Sequence, residues 1–221
     1  MDWLRSAWEF INRLTNPESL NILAGSMGWW LYVLLFAVIF VETGLVVMPF
    51  LPGDSLLFAI GALGALEGTP INLPLMGLFL IIAAILGDAV NYSVGLRIGP
   101  TVFSKEDSRW FNKRHLLAAQ AFYEKHGGKT IILARFLPFI RTFAPFVAGI
   151  GRMSYPRFAL YNVTGAILWV CLFMGAGKIF GGISWVQNNI ESLVIALIVI
   201  PGLPAVFKAV QTWLQSRRKL V

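Results

Sequence analysis

The apolar segments of this chain are long, and their length limits the folds that it can adopt. Four of them run for about twenty residues, the length that an α-helix needs to cross the hydrocarbon of a bilayer. They are residues 29–48, 73–96, 158–180 and 190–210. Only 13% of the residues are charged, against about a quarter in a typical soluble domain. The sequence therefore predicts an all-α polytopic membrane protein with about four full transmembrane helices.

Two further apolar segments do not suit a simple membrane crossing. Residues 55–66 are too few to span a bilayer, and they follow the helix-breaking pair Pro52 and Gly53. Residues 130–151 include two prolines and two arginines, and an arginine at mid-membrane costs about 2.5 to 3.5 kcal/mol. Broken helices occur at membrane depth where protein buries them. We therefore predict two re-entrant hairpins, at about residues 49–66 and 130–151.

The basic residues are distributed unevenly along the chain. The net charge is +7, and seven of the 18 Lys and Arg residues lie within residues 97–129. Three more, Arg217, Arg218 and Lys219, lie in the last five residues, whereas residues 67–72 and 181–191 contain none. By the positive-inside rule, this asymmetry places the central loop, both termini and the tail in the cytoplasm. The charge thus follows membrane topology rather than a nucleic-acid surface.

These segments make up a single membrane domain, residues 1–221. The two repeats are residues 28–96 and 130–180, each with one hairpin, and a cytoplasmic basic loop, residues 97–129, separates them. Residues 1–27 are predicted to be an interfacial N-terminal segment, because the Trp and Leu residues near the start share one helical face. Residues 190–221 form the final transmembrane helix and the basic tail.

The two halves resemble each other weakly. Each hairpin begins with the letters FLP, and each following span carries an Asn, Tyr and Gly cluster, NYSVG in the first half and YNVTG in the second. The predicted topology sends the two hairpins in from opposite faces. Opposed broken helices are typical of inverted-repeat transporters, whose substrate sites lie near the bilayer midplane.

Two carboxylates, Glu42 and Asp54, lie at the first hairpin. Their separation of twelve residues would place them about 18 Å apart on one straight helix, but the intervening prolines forbid that helix. A fold-back could bring both to one cavity, where buried acids commonly carry protons. For Asp54 an N-cap role is an equal alternative, because PGDS precedes an apolar run.

Two arginines, Arg135 and Arg141, lie in the second hairpin on either side of Pro138. A turn at that proline could direct both guanidinium groups into one cavity, and paired arginines favour phosphate. In the alternative interpretation each arginine only neutralises a carboxylate, Arg135 with Glu42 or Arg141 with Asp54. The two roles are compatible if the pairs open.

Polar residues also mark the full spans. Asp88, Asn91 and Tyr92 form a stripe with helical spacing, and Asn162 lies on the next span. We interpret these residues, together with Trp169, as a supporting hydrogen-bond network rather than the primary site.

The sequence does not contain the motifs of several common enzyme classes and metal sites. The two histidines, His115 and His126, lie in the basic loop without metal-site spacing, and no nucleophile elbow, Walker loop or dinucleotide fingerprint occurs. No metal, cofactor or enzymatic activity is expected.

Four stretches together resemble the bacterial DedA family, which is related to the VTT-domain lipid scramblases. They are ETGLVVMPFLPGDSLL from Glu42, GDAVNYSVG from Gly87, FYEKHGGKTIILARFLPFIRTFAPFVAGIG from Phe122 and YNVTGAILW from Tyr161. The resemblance implies a multi-pass protein of the bacterial inner membrane linked to proton-motive force, envelope integrity and recycling of undecaprenyl phosphate. It also implies that Glu42, Asp54, Arg135 and Arg141 matter.

The sequence and the resemblance together predict a proton-coupled transporter or flippase. It would return a polyprenyl phosphate to the cytoplasmic leaflet, with Arg135 and Arg141 binding the phosphate and Glu42 and Asp54 carrying protons. The alternatives are a phospholipid scramblase and a proton or small-ion antiporter. The expected partners are the lipid, protons and the bilayer, with a homo-oligomer left open.

Overall fold

The computed structural model describes residues 16–45, 53–65, 68–102 and 127–183, and within them all regular structure is helical. This confirms the all-α prediction. The seven helices are α1 (Pro17–Met27), α2 (Trp29–Gly44), α3 (Gly53–Leu63), α4 (Leu73–Val102), α5 (Lys129–Ala134), α6 (Pro138–Ile150) and α7 (Tyr155–Phe180). The predictions for the first 15 residues, both histidines, most of the basic loop and the final span with its tail lie outside the described residues.

Two of these helices, α4 and α7, are long and apolar enough to cross a membrane. Their candidate spans, Leu73–Ile98 and Tyr155–Phe180, each have 26 residues, or about 39 Å of helix. Only 33% and 39% of the residues in their most apolar windows are buried, and exposed Leu and Ile side chains line their outer faces. Such faces suit lipid, so by length and composition α4 and α7 are candidates for two of the predicted spans.

Helix α2 is shorter than the predicted first span. It begins at Trp29, as expected, but ends at Gly44, and Leu45 already has an extended backbone with φ −105° and ψ 113°. Sixteen residues cover roughly 24 Å, less than the hydrocarbon thickness. The carboxylate of Glu42 therefore lies in the last turn of α2 rather than in the middle of a continuous span.

The second predicted hairpin is broken where the sequence predicts it. Helix α5 ends at Ala134 and α6 begins at Pro138, while Leu137 between them is extended with φ −112° and ψ 107°. Proline has no amide hydrogen and disfavours a helical conformation in the preceding residue, so Pro138 can begin a helix but not continue one. The two short helices contact each other. Their re-entrant placement in the membrane stays a prediction.

Each of the short helices α3 and α6 packs against the long helix of the other half of the chain. Helix α3 of the first half packs against α7 of the second, and α6 of the second half packs against α4 of the first. A Cβ atom at Gly61 or Gly177 would clash with backbone across the first contact, and one at Gly95 or Gly149 would do so across the second. Glycine thus lets the backbones of the two halves touch, and the polar residues of the halves meet at this interface.

Helix α1 is attached to the same bundle. The side chain of Asn16 caps its start by accepting hydrogen bonds from the amides of Glu18 and Ser19. Leu20 and Ala24 are buried in the main apolar core, which also includes residues of α2, α3, α4 and α7.

Candidate functional site

The ionisable residues singled out in the sequence are buried together with one more acid. Their side chains come from four helices and from the break between α5 and α6, and each residue is at most 8% exposed. They are Glu42 on α2, Asp54 on α3, Asp88 on α4, Arg135 at the break and Arg141 on α6. Buried charges need partners, and the arrangement supplies them in two clusters.

The first cluster, the Arg141 cluster, consists of Arg141, Glu42, Asp54 and Trp169. Arg141 donates from Nη2 to Glu42 Oε1 and from Nη1 to Asp54 Oδ1, the latter at 2.5 Å. One guanidinium therefore bridges carboxylates from α2 and α3 and ties both first-half helices to α6. The fork geometry of arginine makes this double contact with separate N–H groups.

Glycine at the start of α3 allows the two acids to come together. The backbone N–H of Gly53 donates to Glu42 Oε1 at 3.3 Å, and a Cβ atom at residue 53 would clash with the Glu42 carboxylate. Because α3 begins at Gly53, Asp54 occupies its first turn rather than the N-cap position. An acid there is favoured by the helix dipole. The fold-back predicted from PGD therefore does bring Glu42 and Asp54 to one place.

The second cluster, the Arg135 cluster, consists of Arg135, Asp88 and Asn162. Arg135 donates from Nη2 to Asp88 Oδ2 and to Asn162 Oδ1, the latter at 2.7 Å. The amide of Asn162 is held in turn by its own bond to the carbonyl of Ile85 at 3.0 Å. Gly165 leaves room for the arginine, since a Cβ atom there would lie 3.3 Å from Nε.

The pairing differs from the alternatives that the sequence left open. Arg141 does pair with Asp54, but it also holds Glu42, which had been considered a partner for Arg135. Arg135 pairs with Asp88 instead. Asp88, predicted as part of a supporting network, is therefore a direct ion-pair partner. The position of Asp88 inside a predicted span could have indicated this role, because an acid within the membrane usually has a charged partner and a function.

Trp169 connects the two clusters. Its indole Nε1–H donates to Asp54 Oδ1 at 2.7 Å, and its ring centroid lies 5.2 Å from Cζ of Arg141 and 5.7 Å from Cζ of Arg135. Both distances are within the range of cation–π attraction. Trp169 was predicted to have only a supporting role, although a buried indole in a span needs a partner for its N–H.

The other residues of the predicted polar stripe brace the helices. The side-chain amide of Asn91 donates to the carbonyl of Thr43 at 3.2 Å and to that of Thr142 at 2.7 Å, so that it joins α4 to α2 and α6. Tyr92 donates its hydroxyl hydrogen to the carbonyl of Met153 and stacks on Phe158 at 4.3 Å. Neither side chain contacts an arginine through these bonds, so both fit a supporting role.

Both arginines line one cavity, but it is nearly closed. Its volume is about 10 Å³, and its walls include Asp88, Arg135, Arg141 and Trp169, which leaves room for about one water molecule. Two atoms of the Arg141 cluster, Glu42 Oε2 and Arg141 Nε, are buried without a hydrogen-bond partner. In the described part of the chain, no group of three His, Cys, Asp or Glu residues is arranged to hold a metal ion.

Comparisons with known proteins point to one family. Residues 51–179 match the family model described as the VTT domain, which includes Asp54, Asp88, both arginines and Trp169 but not Glu42. The chain is 54% identical to "Protein DedA" of Escherichia coli K12 over 86% of each chain.

More distant relatives carry membrane-protein names. "Uncharacterized membrane protein ML0287" of Mycobacterium leprae is 45% identical over 78% of this chain and 76% of its own. "Inner membrane protein YqjA" of E. coli K12 is 31% identical over 92% of this chain and 89% of its own. No solved structure matches significantly. With its VTT domain and its close likeness to DedA, the chain belongs to the DedA family of membrane proteins.

Proposed function

We propose that this protein is a proton-coupled lipid flippase of the bacterial inner membrane. Its cargo is undecaprenyl phosphate or a similar polyprenyl phosphate, returned from the outer to the cytoplasmic leaflet for envelope synthesis. The observation that carries the proposal is the pair of buried arginines, each already neutralised by carboxylates in a cavity lined by both. Multi-pass topology with both termini in the cytoplasm belongs to the proposal.

The charge of the two clusters supports coupling to protons. Three carboxylates face two guanidinium groups, so the five residues are neutral together only when one carboxyl group holds a proton. A buried charge without a partner is costly. The surplus acid lies in the Arg141 cluster, where Glu42 and Asp54 share one arginine. Proton uptake is therefore expected at one of these two acids.

Further protonation would make Arg141 available to a phosphate. When Glu42 and Asp54 both hold protons, Arg141 keeps its charge but loses its anionic partners. A phosphate monoester carries a charge of about −1.5 to −2 at neutral pH and can accept paired hydrogen bonds from arginine. When the acids release their protons, they compete again for Arg141 and displace the phosphate. Lipid and protons thus move together, inward with the proton gradient.

The closed cavity implies that the short helices must move. A space of about 10 Å³ does not admit a phosphate group, so the conformation described is one in which the acids occupy the phosphate's place. Broken helices at a repeat interface are the elements that open alternately in transporters. Only the headgroup needs this path, because the polyprenyl chain can remain in lipid. No bond in the cargo is broken, so the protein acts as a transporter and not as an enzyme.

The test uses the full-length protein in proteoliposomes with a labelled polyprenyl phosphate in the outer leaflet. With an imposed inward proton gradient, the double variant Arg135→Ala, Arg141→Ala is expected to flip lipid no faster than protein-free liposomes. Arg157→Ala, which removes an exposed arginine of α7, is the matched control and should retain the unmodified rate. Undiminished flipping by the double variant would overturn the proposal.

A second candidate rests on the surplus acid alone. A carboxylate in excess of its arginines is also what a proton or small-ion antiporter requires, and a passive scramblase needs no proton at all. A pH gradient separates the three. A scramblase flips lipid equally with or without it, an antiporter moves the ion in the absence of lipid phosphate, and the proposed flippase requires both gradient and lipid phosphate.

A further inference from the structure

A second, much larger cavity lies on the outside of the bundle. It is a groove of about 490 Å³ between the first turns of α4 and the last turns of α7, with Gly77, Leu78, Val170, Cys171, Gly175 and Lys178 among its walls. Its volume is typical of sites that hold organic ligands. Such sites are lined mostly by apolar side chains, with a few polar groups at defined points. Of the residues that line it, only Lys178 is charged.

The groove and the central cavity have complementary properties. The central cavity is charged but has room for about one water molecule, whereas the groove is apolar and about 490 Å³ in volume. A lipid phosphate has both a charged headgroup and a long apolar chain. The central cavity suits only the headgroup, and the groove offers part of the apolar chain a protein surface that opens towards the exposed faces of α4 and α7.

Lys178 gives the groove a preference for an anionic ligand. The residue is exposed in the last turn of α7, and in the described ranges no carboxylate lies within salt-bridge distance of it. The charge distribution predicts that this end of α7 faces the outside, where the neighbouring connections carry no Lys or Arg. A lysine there can extend its amine to the level of the lipid phosphates while its stem stays in the apolar groove.

Helix α7 contacts both cavities with neighbouring residues. Trp169 contacts the two arginines, while Val170 and Cys171 line the groove. Lys178 is nine residues further along α7, about 14 Å along the helix axis. A phosphate held by Lys178 would therefore lie beside the same helix as Trp169, about 14 Å along its axis from the level of the arginines.

We propose that this groove is the loading site for an anionic lipid of the outer leaflet, with the apolar chain in the groove and the phosphate on Lys178. The inference rests on the proposed function for the direction of movement, but binding in the groove can be measured without transport. The ligand class is a phosphate ester on a long isoprenoid or acyl chain.

Cys171, the only cysteine of the chain and an exposed one, reports on the groove directly. The rate of its modification by a maleimide is measured on the full-length protein in phosphatidylcholine nanodiscs. Farnesyl phosphate is expected to slow modification several-fold, farnesol to slow it much less, and inorganic phosphate to leave it unchanged. In Lys178→Gln, farnesyl phosphate should protect no better than farnesol. Equal protection by the two lipids in the unmodified protein, or none by either, would overturn the proposal.

A second variant fills the groove without disturbing the protein. A Cβ atom at Gly175 would meet no atom within 4 Å, so Gly175→Leu should fold and should bind labelled farnesyl phosphate at least several-fold more weakly. Gly25→Leu is the matched control, because Gly25 on α1 has equally free space and does not line the groove. Unchanged binding by Gly175→Leu would contradict the proposal.

The two proposals fail in different ways. Protection of Cys171 by farnesyl phosphate without any gradient-driven flipping would leave the groove site standing and remove the proposed function. Gradient-driven flipping without protection of Cys171 would do the reverse.

Discussion

The two arginines are similarly buried but have different partners. Arg135 contacts one carboxylate, Asp88, and one neutral amide, Asn162, so its cluster is electrically balanced. Arg141 contacts two carboxylates, Glu42 and Asp54, so its cluster carries a surplus negative charge unless a proton is bound. Two arginines that look alike in the sequence therefore differ in the number of carboxylates that they hold.

Hydrogen bonding shows the same contrast. The partnerless buried atoms include Glu42 Oε2, Arg141 Nε and the nearby helix-start hydroxyl Ser55 Oγ, whereas they include no atom of Arg135 or Asp88. A buried polar atom without a partner costs about 1 to 3 kcal/mol. The hydrogen bonding of the Arg141 cluster is therefore the less complete of the two. We expect this cluster to rearrange when a proton or a phosphate binds.

The largest expected effect comes from removing either arginine alone. Breaking a buried ion pair by removing one partner typically costs about 3 to 5 kcal/mol. Arg141→Gln should lie at the upper end, because two carboxyl groups lose their guanidinium partner, and Arg135→Gln at the lower end, because only Asp88 does. The free energy of unfolding of detergent-purified protein measures both, and Arg157→Gln at an exposed position is the control. Equal losses at the two arginines would contradict the unequal charge of the clusters.

The next largest difference is expected when an arginine and its acidic partner are neutralised together. Arg135→Gln with Asp88→Asn removes a balanced pair and should recover most of the stability lost in Arg135→Gln. Arg141→Gln with Glu42→Gln should recover only part, because Asp54 still lacks a cation, and adding Asp54→Asn should recover the rest. Double-mutant cycles of unfolding free energy measure these couplings.

The same variants test the phosphate role of Arg135. The stable pair Arg135→Gln, Asp88→Asn is expected to flip no lipid phosphate, because a phosphate ligand is missing even though the charge is balanced. Restored flipping would show that Arg135 only neutralises Asp88.

A smaller effect is expected at Trp169. Trp169→Phe keeps an aromatic ring between the arginines but removes the donor to Asp54, and a hydrogen bond to a charged group contributes about 1.5 to 3 kcal/mol. The loss should couple to Asp54→Asn and not to Asp88→Asn, since the indole N–H contacts only the first of these acids. Unfolding of the single and double variants measures the coupling, and coupling to Asp88 of equal size would contradict the assignment.

The smallest loss of stability is expected for Glu42→Gln. Arg141 keeps Asp54 as its anion, so the cost should be near that of one ordinary hydrogen bond, about 1 kcal/mol, well below that of Asp88→Asn. The variant balances the charge of the clusters without a proton, so flipping should become slow and insensitive to the pH gradient. Flipping rates with and without a gradient measure this. Retained gradient dependence would assign the proton to another acid.

The sequence predicted local breaks better than pairings. The turn before Pro138 follows from proline chemistry within three residues, and the helix between Leu73 and Leu96 follows from apolar length, although it continues to Val102. The end of α2 at Gly44 was missed because the residues from Leu45 to Met48 are as apolar as those before them.

Ion pairs between distant helices depend on which faces of the helices meet, and a local sequence pattern does not specify this. Arg135 and Asp88 are 47 residues apart in the sequence, and the rotation of α4 about its axis decides whether Asp88 or another residue faces the break. The crosswise packing of α6 on α4, permitted by Gly95 and Gly149, sets that rotation. Trp169 was undervalued for the same reason, because its neighbours come from three other segments.

Proton-coupled flipping can be measured with a labelled polyprenyl phosphate and the unmodified protein in liposomes, with and without an imposed proton gradient. We expect rapid movement to the inner leaflet only when the outside is the more acidic, together with proton uptake that requires the lipid phosphate. Flipping at the same rate without a gradient, or proton movement without the lipid, would contradict it.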